Sequence, residues 1–217
     1  MTLPGWPSGH GMASFAGARD GNTVKLFAIA MPQADLYAGI TGADFSASSG
    51  IYVSDGASTS WTQRMNGVTA GDQFFFTACA QNDINTVYAG GGNSNSGVPV
   101  LYKSTDAGLN WNKIFNTNGN ANILTGWSGD GGDRTWGYGE YVLGLSVAPH
   151  DKSHLAFTDL GFVHVSTNGG TLWKQAYIAN QDQNTNGVNT PQQKAYHSIG
   201  LENTSHWMLC WNSTTQL

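Results

Sequence analysis

One stretch of the chain gathers the residue types that could do chemistry. Residues 116–141, NTNGNANILTGWSGDGGDRTWGYGEY, carry Trp127, Trp136, Tyr138 and Tyr141 beside Asp130, Asp133, Arg134 and Glu140. Flat aromatic rings next to a few convergent polar groups are the make-up of a ligand cleft. Pyranose rings suit such a cleft, because their C–H faces stack on indole and their hydroxyls bond to carboxylates. Two blander readings use the same residues. The aromatics can fold back into a small core of the loop's own, or Asp130, Asp133 and Glu140 can hold Ca²⁺ through hard oxygen ligands, although their spacing matches no calcium loop. A second long segment, ANQDQNTNGVNTPQQKAYH at 179–197, leads to Glu202, His206 and Trp207.

Other chemistries lack their residues. The histidines at 10, 150, 154, 164, 197 and 206 show no zinc spacing on a helix. There is no phosphate loop, nucleophile elbow or Cys-x-x-Cys pair. No metal or other cofactor is therefore expected. The 9 basic residues against 14 acidic ones give a net charge of −5. That is too little positive charge for a stripe along a phosphate backbone, so no nucleic-acid partner is expected. The apolar runs are too short to span a bilayer. The opening MTLPGWPSGHG has neither the basic nor the apolar region of a signal peptide. The Asn/Gly/Ser/Trp-rich, Lys-poor balance nonetheless leans toward an extracellular setting. Cys79 and Cys210 lie in apolar runs and read as buried thiols, with a disulfide open to them in an oxidising compartment.

The elements that must position these loops are short strands. Charged residues make up only 11% of the chain, and its polarity comes from Gly, Asn, Ser, Thr and Gln, which favour turns over helix interiors. Three stretches end alike: SDGASTSW at 54–61, STDAGLNW at 104–111 and STNGGTLW at 166–173. Before each tryptophan come an apolar run (VKLFAIA, QFFFTACA, YVLGLSVA), a second strand (DLYAG, TVYAG, LAFTD) and a third (GIYVS, VLYKS, FVHVS). After it comes a fourth (TQRMN, NKIFN, KQAYI). Four short strands recurring with tryptophans 50 and 62 residues apart predict propeller blades. The blades are expected over 24–66, 73–116 and 141–178, with a remnant of a fourth over 197–217. GARDGN at 17–22 reads as a turn into the first strand.

The repeated turn fits the pattern Ser-x-Asp-x-Gly-x-x-Trp. Ser104, Asp106, Gly108 and Trp111 satisfy it fully, Asn168 replaces Asp in the third copy, and the first copy is worn, with Asp55 one place early and Ser58 for glycine. The chain thus resembles the Asp-box (BNR-repeat) β-propellers, which include sialidases, xyloglucanase-type glycoside hydrolases and sortilin-type receptors. The resemblance implies an all-β fold of four-stranded antiparallel blades, three full and a fourth begun. It also implies that the box holds a hairpin, its tryptophan folded back over it, and that Asp106 is no catalytic acid.

SVAPHDKSHLAFTDLGFVHVS at 146–166 further resembles the xyloglucanase-type stretch Thr-Asp-x-Gly-Gly, whose Asp is a catalytic carboxylate. By position this implies Asp159, between Thr158 and Gly161, with Phe162 departing from the second glycine. Glycoside hydrolysis takes two carboxylates, about 5 Å apart for retention and about 6.5–9.5 Å for inversion. Glu140 or Asp133 is expected to supply the second. Trp127, Trp136, Tyr138 and Trp207 are expected as sugar-binding platforms. Asp159 as a plain strand-capping turn residue is the competing reading. A sialidase needs an arginine triad, whereas Arg19, Arg64 and Arg134 are the only arginines and Arg64 is expected to face solvent. The expected partner is a β-glucan-type polysaccharide, and an enzyme here would be a glycoside hydrolase. The alternative is a non-catalytic propeller for binding, adhesion or assembly. Propellers close with about 4 to 8 blades, so three blades and a remnant leave open edges, and the chain is expected either to be part of a larger propeller or to close or extend it as a homo-oligomer.

Overall fold

The computed structural model describes residues 3–33, 48–56, 60–96, 98–124, 141–159 and 163–176. They form three four-stranded antiparallel sheets. The first contains β1 (His10–Asp20), β2 (Thr23–Pro32), β3 (Gly50–Asp55) and β4 (Thr62–Gln63) in that order. The second contains β5 (Asp72–Cys79), β6 (Val87–Asn93), β7 (Pro99–Ser104) and β8 (Asn112–Lys113). The third contains β9 (Gly144–Ala148), β10 (Asp151–Thr158), β11 (Val163–Ser166) and β12 (Lys174–Gln175). The leading strands lie side by side, β1 against β5 and β5 against β9.

The sheets pack face to face through alternating side chains. Phe27, Ile29, Ile51 and Val53 of the first sheet bury against Phe74, Ala89, Val100, Tyr102 and Trp111 of the second. Tyr88 and Leu101 on the opposite face of the second sheet bury against Val147, Leu155, Phe157 and Trp173 of the third. The second blade therefore meets the first through its rear face and the third through its front face.

The repeated turn is built on its serine. Ser104 Oγ accepts the backbone N–H of Asp106 and of Gly108, at 3.3 and 2.8 Å, and donates to Asp106 Oδ1 at 2.7 Å. Asp106 then accepts the N–H of Asn110, four residues on, at 2.8 Å. Ser166, Asn168, Gly170 and Leu172 repeat these bonds one for one, since an amide oxygen accepts as a carboxylate does. Both turns need two consecutive residues at positive φ, Ala107 and Gly108 in one and Gly169 and Gly170 in the other. The tryptophan ring lies against its own turn, with Trp111 Cζ2 3.5 Å from a Cβ placed on Gly108, and its N–H reaches further. Trp111 Nε1 donates to Arg64 O at 3.0 Å and Trp173 Nε1 to Ile114 O at 2.8 Å, so each ring fastens its blade to the preceding one. Arg64 is likewise engaged rather than solvent-facing: its guanidinium donates to Ala107 O at 2.6 Å.

The first sheet starts at His10, ahead of the Val24 expected from sequence, and VKLFAIA forms its second strand. The GARDGN stretch turns around Gly21 (φ 57°) between β1 and β2. The strand expected at DLYAG (35–39) and the remnant at 197–217 lie outside the described residues. In the third sheet β10 begins at Asp151, inside the stretch expected to be a connector.

Candidate functional site

In sheets whose strands follow in sequence order, connections alternate between the two ends. The β1–β2 and β3–β4 connections, and with them the serine-built turns, share one end of each blade. The β2–β3 connections and the crossings to the next blade share the other, here the loop end. Asp159 follows β10 directly and so belongs to the loop end. Leu124 and Tyr141, which bracket one of the two long loops, belong to crossings at that same end. Asp133, Glu140, Trp127, Trp136, Tyr138 and Trp207 lie outside the described residues.

Asp159 is the one sequence-derived site residue whose surroundings the structure describes, and it is buried. Its Oδ2 sits 2.9 Å from His164 Nε2, and both side chains are 0% exposed. The imidazole stacks on Phe157 at 4.6 Å between centroids and takes the edge of Phe115 at 5.1 Å. His164 stands two residues before the box serine Ser166. Tyr102 and Tyr52 stand two residues before Ser104 and Ser54. All three sit on rear faces, opposite Phe157, Ala89 and Ala28 in register. In the second blade Tyr102 donates its hydroxyl to Asp72 Oδ2 at 2.5 Å, and Asp72 also takes Asn93 Nδ2 and Lys113 Nζ, each at 2.7 Å. A polar aromatic on the third strand, tied to a buried aspartate at the loop end, is thus common to two blades. Sequence reasoning missed His164 because its partner lies across a hairpin and only the register brings the two together.

Two further clusters could be mistaken for catalytic groups. Ser49 Oγ lies 2.6 Å from His10 Nε2, while His10 Nδ1 lies 2.8 Å from Ser8 O. A carbonyl only accepts, so Nδ1 carries the proton and Nε2 accepts from the serine. A nucleophilic serine also needs N–H donors aimed at a developing oxyanion. The N–H of Ser49 is spent on Ala30 O, and that of Gly50 on Ser48 Oγ. The pair ties β1 to the start of β3. At the opposite end Asp83 accepts the N–H groups of Asn85 and Thr86 and pairs with Lys152 at 2.5 Å. Burial opposes its ionisation, but the Lys152 and backbone hydrogen bonds outweigh that and draw its carboxyl down to about 2. Asp106 is likewise held below the ordinary carboxylate range, chiefly by Asn110 and then Ser104, which suits a fixed acceptor and not a proton donor. Cys79 is a free thiol, pushed up to about 12 by burial and then by Asp83. Among the described residues no three His, Cys, Asp or Glu side chains gather as a metal site.

No family model and no curated protein matches the sequence. Solved structures do. The GH74 xyloglucanase from Xanthomonas campestris superposes with a TM-score of 0.56 at 17% identity, over 81% of this chain and 24% of that one. The fold is that of a β-propeller. A glycosyl hydrolase from Bacteroides ovatus aligns at a TM-score of 0.43 and 12% identity, over 82% of this chain and 51% of that one. YCF48 bound to D1 peptide aligns at 0.44 and 11%, over 80% and 46%. The chain spans about a quarter of the xyloglucanase and about half of the other two. No helix among the described residues is long and apolar enough to cross a membrane.

Proposed function

We propose that this chain is a carbohydrate-active propeller of glycoside-hydrolase-like build, with Asp-box turns, that takes a β-glucan-type polysaccharide at its loop end. The observation that carries this reading is topological. The strand order brings Asp159 and the ends of the 116–141 loop to one end of the blades, opposite the serine-built turns. Trp127, Trp136, Tyr138 and Trp207 are the sugar platforms of this reading. For hydrolysis Asp159 is one carboxylate and Glu140 or Asp133 the other. An extracellular setting fits such a substrate.

One observation favours a second reading, a propeller that binds without turnover. The Asp159 carboxylate is 0% exposed and spends Oδ2 on His164, so in this conformation it meets no substrate. The test is reducing-end release from xyloglucan and mixed-linkage β-glucan by the wild type and Asp159→Asn, with binding to both polymers measured alongside. Release that is abolished in Asp159→Asn supports hydrolysis. Binding without release, weakened by Trp136→Ala, supports the second reading. Neither binding nor release refutes both.

A further inference from the structure

An asparagine followed by glycine can modify itself. Its side-chain carbonyl carbon lies within reach of the next backbone nitrogen, and glycine has no side chain to obstruct the approach. The chain carries this pair at Asn66–Gly67, Asn118–Gly119, Asn168–Gly169 and Asn186–Gly187, the last outside the described residues. Ring closure needs a side chain free to swing and a following peptide unit free to rotate. The hydrogen bonds that the fold makes at each pair therefore decide which of them reacts.

Two of the pairs are fastened. Asn168 Oδ1 accepts the N–H of Leu172 at 2.9 Å and the hydroxyl of Ser166 at 3.0 Å, and the Asn168 carbonyl accepts the Thr171 hydroxyl at 3.0 Å. The nitrogen that would attack, that of Gly169, donates its N–H to Ser153 O at 2.8 Å. Asn66 Nδ2 donates to Asn110 Oδ1 at 2.6 Å, and the Asn66 carbonyl accepts Trp111 N–H at 2.9 Å. Gly67 is pressed against Trp111, where a Cβ would come 2.3 Å from the carbonyl oxygen. Asn118–Gly119 is different. Both residues are exposed, and Gly119 has open space where a Cβ would stand. The Asn118 N–H donates to Asn116 Oδ1 at 3.1 Å, a bond that stays in place when the following peptide unit rotates. Among the described residues neither the Asn118 side chain nor the Gly119 N–H makes a hydrogen bond.

We propose that Asn118 is a site of spontaneous deamidation in the folded chain, with water as the co-reactant. The Gly119 nitrogen gives its proton to hydroxide and attacks Asn118 Cγ. The new C–N bond closes a succinimide ring as the Cγ–Nδ2 bond breaks, and Nδ2 leaves as ammonia with a proton from water. Water then opens the ring. Cleavage of the bond just formed leaves an aspartyl residue, and cleavage of the original peptide C–N bond leaves an isoaspartyl linkage that runs through the side chain. Either product puts a carboxylate where an amide stood, near the start of the 116–141 segment, and the second also lengthens the backbone of the Asn118–Asn120 turn. This inference is independent of any polysaccharide, since the reaction is followed without one.

The experiment follows the full chain at mildly alkaline pH by peptide mass mapping, with isoaspartyl content read by enzymatic methyl transfer, in native buffer and in urea. In the native chain Asn118 is expected to convert at least about tenfold faster than Asn66 or Asn168, since those two must first break the hydrogen bonds that hold their reacting groups. In urea the three rates are expected to converge, because the same dipeptide is then unrestrained at all three. Asn118→Gln is expected to abolish conversion of this peptide, which separates Asn118 from Asn116 and Asn120. Gly119→Ala, which crowds the attacking nitrogen, is expected to slow it. A native Asn118 that converts no faster than the other two overturns the inference. So does a spread of rates that persists unchanged in urea, because the fold then has no part in it. Conversion that Asn118→Gln leaves intact, or that Gly119→Ala does not slow, overturns it as well.

Discussion

Replacing Asp159 separates a structural carboxylate from a catalytic one. Asp159→Ala removes an acceptor that lies 2.9 Å from a histidine with no solvent exposure. A buried donor left without its acceptor costs about 1–3 kcal/mol. Asp159→Asn retains an acceptor oxygen at the same reach from His164 and loses charge assistance. Hydrogen bonds to charged groups contribute about 1.5–3 kcal/mol and neutral ones about 0.5–1.5, so that loss is about 1 kcal/mol. Urea unfolding followed by tryptophan fluorescence suits the measurement, since Trp173 packs 5.3 Å from Phe157, the ring that stacks on His164. The expected order of stability is wild type, then Asn, then Ala. If both variants unfold within about 0.5 kcal/mol of the wild type, a spread usual for surface substitutions, the carboxylate does not hold the blade together. The strut reading then falls.

Two further outcomes follow from the packing between blades. Gly67→Ala puts a Cβ 2.3 Å from the Trp111 carbonyl oxygen at φ 88°, which backbone cannot relieve cheaply. A loss of about 3 kcal/mol or more in urea is expected, against about 1–2 for Gly119→Ala, which has positive φ but open space around it. Asp83 holds its charge down to about 2 in the folded chain, against about 3.9 when unfolded. Its contribution to stability is complete above about pH 4 and is lost as pH falls toward 2. Asp83→Asn should therefore flatten acid unfolding in that window, and an unchanged acid limb would contradict the pairing with Lys152.

Much of the architecture was legible because each blade repeats its turn chemistry. The serine, the acceptor two residues on, the glycine and the tryptophan are local signals, and the second and third blades follow the expected strands closely. The first blade's leading strand was not legible. HGMASFAGARD is built of alanines and glycines with little β-branched character, and its strand identity comes from register against β2. The tryptophans' bonds to the preceding blade were also hidden, because no local sequence signal marks where an indole N–H reaches across blades. At the candidate site the position of Asp159 was legible through a short motif. Its burial was not, since that depends on Phe157, Phe115 and His164 converging from three elements.

The series of front and rear faces also sets where the molecule opens first. Blades that touch only their neighbours share stability in the manner of a one-dimensional array, with end units weaker than middle ones. The second sheet has both faces covered by described neighbours, through the clusters around Trp111 and Trp173. The first sheet is covered on its front, whereas on its rear Met12 and Phe15 stand at 40% and 54% exposure. Amide hydrogen exchange should accordingly be slowest in β6 and β7, and faster in β1, whose rear side chains reach water. Fraying in from that strand would proceed by local opening, leaving the middle blade as the most persistent unit of the chain.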